Sequence, residues 1–164
     1  MKKSKLFYLL LIPLFFYTSQ SCTKTDNSGA EWKTENEAHI GKIKTNHDYK
    51  EATVPGGPGS VYYKVLKDSV GEIPLYTSTV NVRYKGTLID GTVFDDASNR
   101  IVALSVSGVV PGFAVALQNM RVGDKWEVHI PWQLGYGTTP PSGSVILSYS
   151  ALIFEIELVG ISQY

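Results

Sequence analysis

A single cysteine, Cys22, among 164 residues rules out a disulfide framework and any multi-cysteine zinc or iron–sulfur site. Charge is scarce and balanced, with 15 Lys plus Arg against 15 Asp plus Glu. The balance conceals an asymmetry. Lys2, Lys3 and Lys5 precede residue 22 and no acid does, so without residues 1–21 there remain 12 bases against 15 acids. A mildly acidic chain without a basic stripe lacks the clustered cations that phosphate contacts require, which excludes nucleic acid as a partner. The histidines, His39, His47 and His129, stand apart without metal-ligand spacing and read as surface or structural residues, so neither metal nor cofactor is expected. No G-x-S-x-G is present, which disfavours a nucleophile-elbow hydrolase. Gly56, Gly57 and Gly59 have no following Lys-Ser/Thr and read as linker, not phosphate cradle. Asp95 and Asp96 are paired acids, but neighbours on a strand point to opposite faces and make a poor glycosidase pair. The one long apolar run, Leu6–Tyr17, is interrupted by Pro13. As a helix it would rise only about 18 Å, short of the roughly 30 Å hydrocarbon core.

What is present begins with an address. Three lysines, the apolar run, and the small polar stretch Thr18–Ser21 lead directly to Cys22, the pattern of an export signal. It resembles a bacterial lipoprotein signal, although Ser19 stands where Leu is usual and Gln20 is bulkier than usual. The resemblance implies that residues 1–21 are removed and that Cys22 is diacylated, tethering an exported protein to the outer membrane or the periplasmic face of the envelope. The alternative is an ordinary secreted chain with an incidental cysteine.

The 43% hydrophobic fraction can fill a real core. Residues 22–59 read as an extension and linker. Thr23–Ala30 is a polar spacer, Ser28 and Glu31 fit a capping box, and Ala30–Lys44 predicts a short helix that needs support. The breaker-rich run Val54–Gly59 predicts the boundary of the folded unit at residue 60. Beyond it the hydrophobic period becomes two. Strands are predicted over 60–67, Thr79–Leu88, Thr92–Phe94, Ile101–Val106, Lys125–Ile130 and Val145–Ile161, with a tight turn at Asp90-Gly91. Pro111–Met120 is the helical piece among them. Several antiparallel strands around one short helix make an α+β domain with one core.

Four blocks now stand out in order. They are Val80–Asp95; Val109-Val110-Pro111-Gly112-Phe113 continuing to Ile130-Pro131; Gly135-Tyr136-Gly137; and Ile146 with Leu152–Leu158. Together they resemble the FKBP-type peptidyl-prolyl cis–trans isomerases over about Val61–Gly160. The resemblance implies an antiparallel sheet wrapped on the short helix, with a proline pocket between them and proline-containing polypeptides as clients. By motif position, Tyr84, Phe94, Val109, Val110, Phe113 and Phe154 would line the pocket, Phe113 as its floor. Tyr136 would donate its hydroxyl to a substrate carbonyl, the Ile146 N–H would hold a second carbonyl, and Asp95 would sit at the rim. Read without the family, Phe94 and Phe154 are core aromatics, and Asp95 pairs with Arg83 or Arg100 or caps a turn. Three positions depart from the family: Phe113 replaces a usual Trp, Arg100-Ile101-Val102 replaces an aromatic lining residue, and Ile146-Leu147-Ser148 replaces Ile-Pro. These losses leave a second reading open, a peptide-binding lipoprotein without turnover. The oligomeric state is not legible. Asp68-Ser69-Val70 also resembles a short O-glycosylation motif.

Overall fold

The computed structural model describes residues 28–162. The export signal and Cys22 lie outside the described residues, as do the spacer up to Asn27 and the side chain of Ser28. The elements are α1 (Ser28–Thr45), β1 (Lys50–Ala52), β2 (Val61–Lys67), β3 (Thr79–Thr87), β4 (Val93–Asp96), β5 (Val102–Ser105), α2 (Pro111–Leu117), β6 (Lys125–Ile130) and β7 (Leu152–Ser162), with single 3-10 turns at Val106–Gly108 and Trp132–Leu134. The strands form one antiparallel sheet in the order β1-β2-β6-β7-β3-β4. The outer side of β3 is shared: β4 pairs with its C-terminal half, at Lys85–Thr87, and β5 with its N-terminal half, at Thr79–Val82.

Alternation puts the core on one face of this sheet. Along β7, Leu152, Phe154, Ile156 and Leu158 are buried; β3 adds Val80 and Val82, and β6 adds Val128 and Ile130. Helix α2 covers that face with Phe113, Val115, Ala116 and Leu117 buried, followed by Met120. Pro111 starts the helix, where a missing N–H costs nothing. Gly112 then lets the helix seat directly on β6, because a Cβ there would run into the Ile130 side chain.

Three expectations need correction. The long strand expected from Val145 begins only at Leu152; residues 145–151 form a loop in which Tyr149 takes the left-handed conformation (φ 65°) and breaks the extended run. The helix expected to Met120 ends at Leu117, where Gln118 caps it. The sheet also crosses the boundary expected at residue 60, because β1 pairs with β2 on either side of the Pro-Gly loop.

Nor does α1 stand apart. Glu31 in its first turn and Lys42 and Lys44 in its last complement the helix dipole. It is held to the sheet by polar contacts. Asn36 is fully buried; its amide donates to the Trp32 carbonyl (2.7 Å) and its Oδ1 accepts the Ala151 N–H (2.8 Å). Trp32 Nε1 donates to Ser150 Oγ (3.0 Å), and His39 Nε2 lies 2.9 Å from His129 Nδ1. No helix among the described residues is long and apolar enough to cross a membrane.

Candidate active site

Where β3, β4 and β7 meet the start of α2, the sheet presents aromatics on its core face at the edge of the packed interior. Phe94 and Phe154 meet edge to face at 5.3 Å, Phe113 and Phe154 at 4.9 Å, and Tyr84 stands edge-on to Phe113 at 5.8 Å. This is the arrangement that aromatic quadrupoles favour. Gly86 makes room for it, since a Cβ there would sit 2.5 Å from Phe94 and 2.9 Å from Phe154. The rings form one wall and the floor of a cavity of about 380 Å³, closed on its other side by the loops before β7 and before α2.

All nine residues singled out for a pocket line this one cavity: Tyr84, Phe94, Asp95, Val109, Val110, Phe113, Tyr136, Ile146 and Phe154. Phe113, Phe154 and Ile146 are buried, Tyr84, Phe94, Val109, Val110 and Tyr136 are half-buried, and Asp95 is exposed at the rim. Four further residues complete the lining: Leu104, Gly108, Pro141 and Ser144. Leu104 supplies apolar wall where Arg100-Ile101-Val102 offers no aromatic. Its inward direction was readable from the alternation along β5, in which Val102 and Leu104 are the half-buried positions. Pro141 and Ser144 carry no periodic signal, because they belong to an irregular loop.

The polar groups are few and specific. Tyr84 donates its hydroxyl to Asp95 Oδ2 at 2.6 Å. Burial, this hydrogen bond and the Asp95 charge together push the Tyr84 phenol up to about 12, so it stays protonated. Asp95 thus pairs with neither arginine: Arg83 reaches Glu157 (3.4 Å), and the turn-capping roles fall to Asp90 and Asp96, which accept the Thr92 and Ser98 N–H groups. The Tyr136 hydroxyl has no protein partner among the described residues and is available to a ligand. The Ile146 N–H, expected to be open, is met by Ser144 Oγ at 3.3 Å. A ligand carbonyl reaching it must displace that hydroxyl.

The loop carrying Ile146 is anchored from behind. Tyr149 N–H donates to the Gly137 carbonyl (2.8 Å), Ser148 Oγ to the Thr138 carbonyl (2.8 Å), and Ser150 Oγ accepts both the Leu147 N–H (3.1 Å) and the Trp32 indole N–H of α1. The two histidines that seemed isolated in sequence meet behind this loop. His129 Nε2 lies 3.0 Å from Glu127 Oε1, which also accepts the Tyr49 hydroxyl. Burial lowers both histidine pKa values, that of His39 also through the neighbouring His129 and Lys42. No group among the described residues has the arrangement of a metal site.

An apolar cavity with one free hydroxyl and one backbone donor can hold a small ring and grip the carbonyls beside it. Comparison with known proteins agrees with this geometry. Residues 71–159 match the family described as FKBP-type peptidyl-prolyl cis-trans isomerase. The FKBP-type 22 kDa peptidyl-prolyl cis-trans isomerase of Escherichia coli (strain K12) is 41% identical over 114 residues, 68% of this chain and 55% of that protein. Outer membrane protein MIP of Legionella longbeachae is 39% identical over 108 residues, 65% of this chain and 46% of that protein. This chain spans about half the length of these curated relatives. The crystal structure of a peptidyl-prolyl cis-trans isomerase from Pseudomonas syringae pv. tomato superposes with a TM-score of 0.72 at 30% identity, covering 82% of this chain and 96% of that one. With its matched segment carrying β3 to β6, most of β7, the helix α2 and every residue of the aromatic cavity, the chain belongs to the FKBP-type peptidyl-prolyl cis–trans isomerase family.

Proposed function

We propose that this protein catalyses cis–trans rotation of X–Pro bonds in polypeptides of the bacterial envelope, tethered there through an acylated Cys22. The observation that carries the catalytic reading is the convergence of nine residues from four separate sequence blocks on one apolar cavity that offers the unpartnered Tyr136 hydroxyl.

Rotation about the X–Pro bond is opposed by a barrier of roughly 18–20 kcal/mol, mostly amide resonance. Planar amide carries charge separation across its C–N bond, and the twisted state carries less. A cavity walled by Phe94, Phe113 and Phe154 withholds the water that favours the planar form. The Tyr136 hydroxyl and the Ile146 N–H grip flanking carbonyls and hold the chain in a turn that favours twisting. Tyr84 and Asp95 fix each other at the rim, so that neither drifts into the ring site. Every tenfold gain in rate needs about 1.4 kcal/mol, which contacts of this kind can supply without nucleophile, metal or cofactor.

The envelope assignment rests on the signal-like N-terminus and on the outer-membrane name of the Legionella relative. Two measurements test the two halves. The refolding of a protein limited by X–Pro isomerisation should accelerate in proportion to the amount of protein added. Palmitate should label the full chain in bacteria and fail to label Cys22→Ser. The second reading, a peptide-binding module, is favoured by Ser144 occupying the Ile146 donor; it requires peptide binding without acceleration of refolding.

A further inference from the structure

A second cavity, of about 550 Å³, lies back to back with the first across the segment 107–111. Gly108, Val109 and Val110 line the first cavity; Ser107, Val109 and Pro111 line the second, so Val109 belongs to both. The opposite bank of the second cavity is the Pro-Gly loop at residues 54–58 together with Tyr76, and its base is the outer side of α2. We infer that this groove is a secondary subsite for the same polypeptide client: an uncharged, apolar stretch flanking the proline, which crosses the Val109 ridge and lies between the Pro-Gly loop and α2.

Four observations point to that occupant. The groove abuts the ring cavity at Val109, which lines both, so a chain leaving one over that side chain reaches the other. Its lining contains no charged residue, which disfavours a charged segment, since burying an unpaired charge is costly. Its size falls within the roughly 300–1,000 Å³ of sites that enclose a ligand. Beside it the β2–β3 connection leaves Leu75 70% and Tyr76 56% exposed, large apolar groups with nothing in the described fold to cover them. Polar capacity for a backbone is also present: Gln118 Nε2 is spent on the Ala114 carbonyl, while its Oε1 has no partner among the described residues.

This inference rests on the ring cavity being the proline site, and the test separates the two. Exchange rates and binding are measured on the full chain in mild detergent with three peptides sharing an Ala-Leu-Pro-Phe core. One is the tetrapeptide, one is extended on both sides by Leu and Ala, and one is extended on both sides by Glu and Ser. The apolar extension should raise kcat/KM at least fivefold over the tetrapeptide, and the acidic extension should not. Tyr76→Ser and Gln118→Glu, both outside the ring cavity, should each remove that gain and leave tetrapeptide turnover within twofold. Equal kcat/KM for the three peptides overturns the subsite, as does equal loss on short and long peptides. So does a concentration-dependent dimer that masks Tyr76. If no peptide is turned over, the isomerase reading fails; anisotropy binding of the same peptides to the two variants then decides the groove by the same ratios.

Discussion

At the scale of single residues, the site depends on two positions that do not themselves hold a ring. Gly86 lies under the Phe94–Phe154 pair, and a methyl group there would sit 2.5 Å from Phe94 and 2.9 Å from Phe154. Gly86→Ala should therefore splay that pair, at a cost of about 1–3 kcal/mol in stability. Loss of activity should exceed tenfold, because the wall moves as well; denaturant titration beside a peptide assay checks both. Ser144 acts in the other direction. Its hydroxyl occupies the Ile146 N–H at 3.3 Å, so under the proposed mechanism a substrate carbonyl has to displace it. A net hydrogen bond contributes about 0.5–1.5 kcal/mol. Ser144→Ala should thus lower KM roughly two- to tenfold with kcat little changed, as read from a substrate-concentration series. The aromatics, Tyr136 and Asp95 were legible from motif position. Ser144 and Pro141 were not, because an irregular loop has no period to betray which side chains face inward.

At the scale of elements, α1 is joined to β6 and to the loop that carries Ile146 by groups that titrate or hydrogen-bond, not by an apolar stripe. That is why its sequence, with Trp32, Ala38, Ile40 and Ile43 as its sparse apolar positions, read as a helix without a destination. The contacts that dock it are Asn36 to Ala151, Trp32 to Ser150 and His39 to His129, pairs separated by some ninety residues or more. No local pattern announces such pairs. Asn36→Ala would leave the buried Ala151 N–H unpaired, and should cost about 1–3 kcal/mol while loosening the loop that carries Ile146. Thermal unfolding and KM should both register it. The histidine pair adds a pH dependence. Both folded pKa values lie below the ordinary 6.5, so the unfolded chain binds protons more readily. Stability is therefore complete above about pH 6.5 and is lost as pH falls from there through the folded values. Around the pair, Lys42 disfavours charging His39 and Glu127 favours charging both. Burial alone would raise the Glu127 pKa, but hydrogen bonds from Tyr49 and His129 outweigh it and bring it below normal, so a further loss follows at more acidic pH. His129→Gln should flatten the upper part of this profile in urea titrations run between pH 7.5 and 5.

At the scale of the molecule, the family blocks and the period-two strands in the sequence outline the α+β architecture and the position of α2. What they missed lies at the N-terminal side, where β1 continues the sheet beyond β2 and α1 backs the last loop. Sheet pairing at an edge and helix docking through side-chain hydrogen bonds are tertiary facts with no local period. One consequence is that residues 28–59 belong to the stable unit. Starting the chain at Val54 would bare β2 as an open edge and uncover His129 and Ser150, and such a protein should melt lower and aggregate in a heating scan. The central claim, that an apolar cavity with a free hydroxyl twists the X–Pro bond, has a direct test. Exchange NMR on an Ala-Leu-Pro-Phe peptide would compare the full chain with Tyr136→Phe, which keeps the ring and removes the donor. The expected result is clear acceleration by the unaltered protein and a loss of roughly two- to tenfold in the variant, matching one hydrogen bond. No acceleration by the folded protein, or an undiminished rate in Tyr136→Phe, would contradict it.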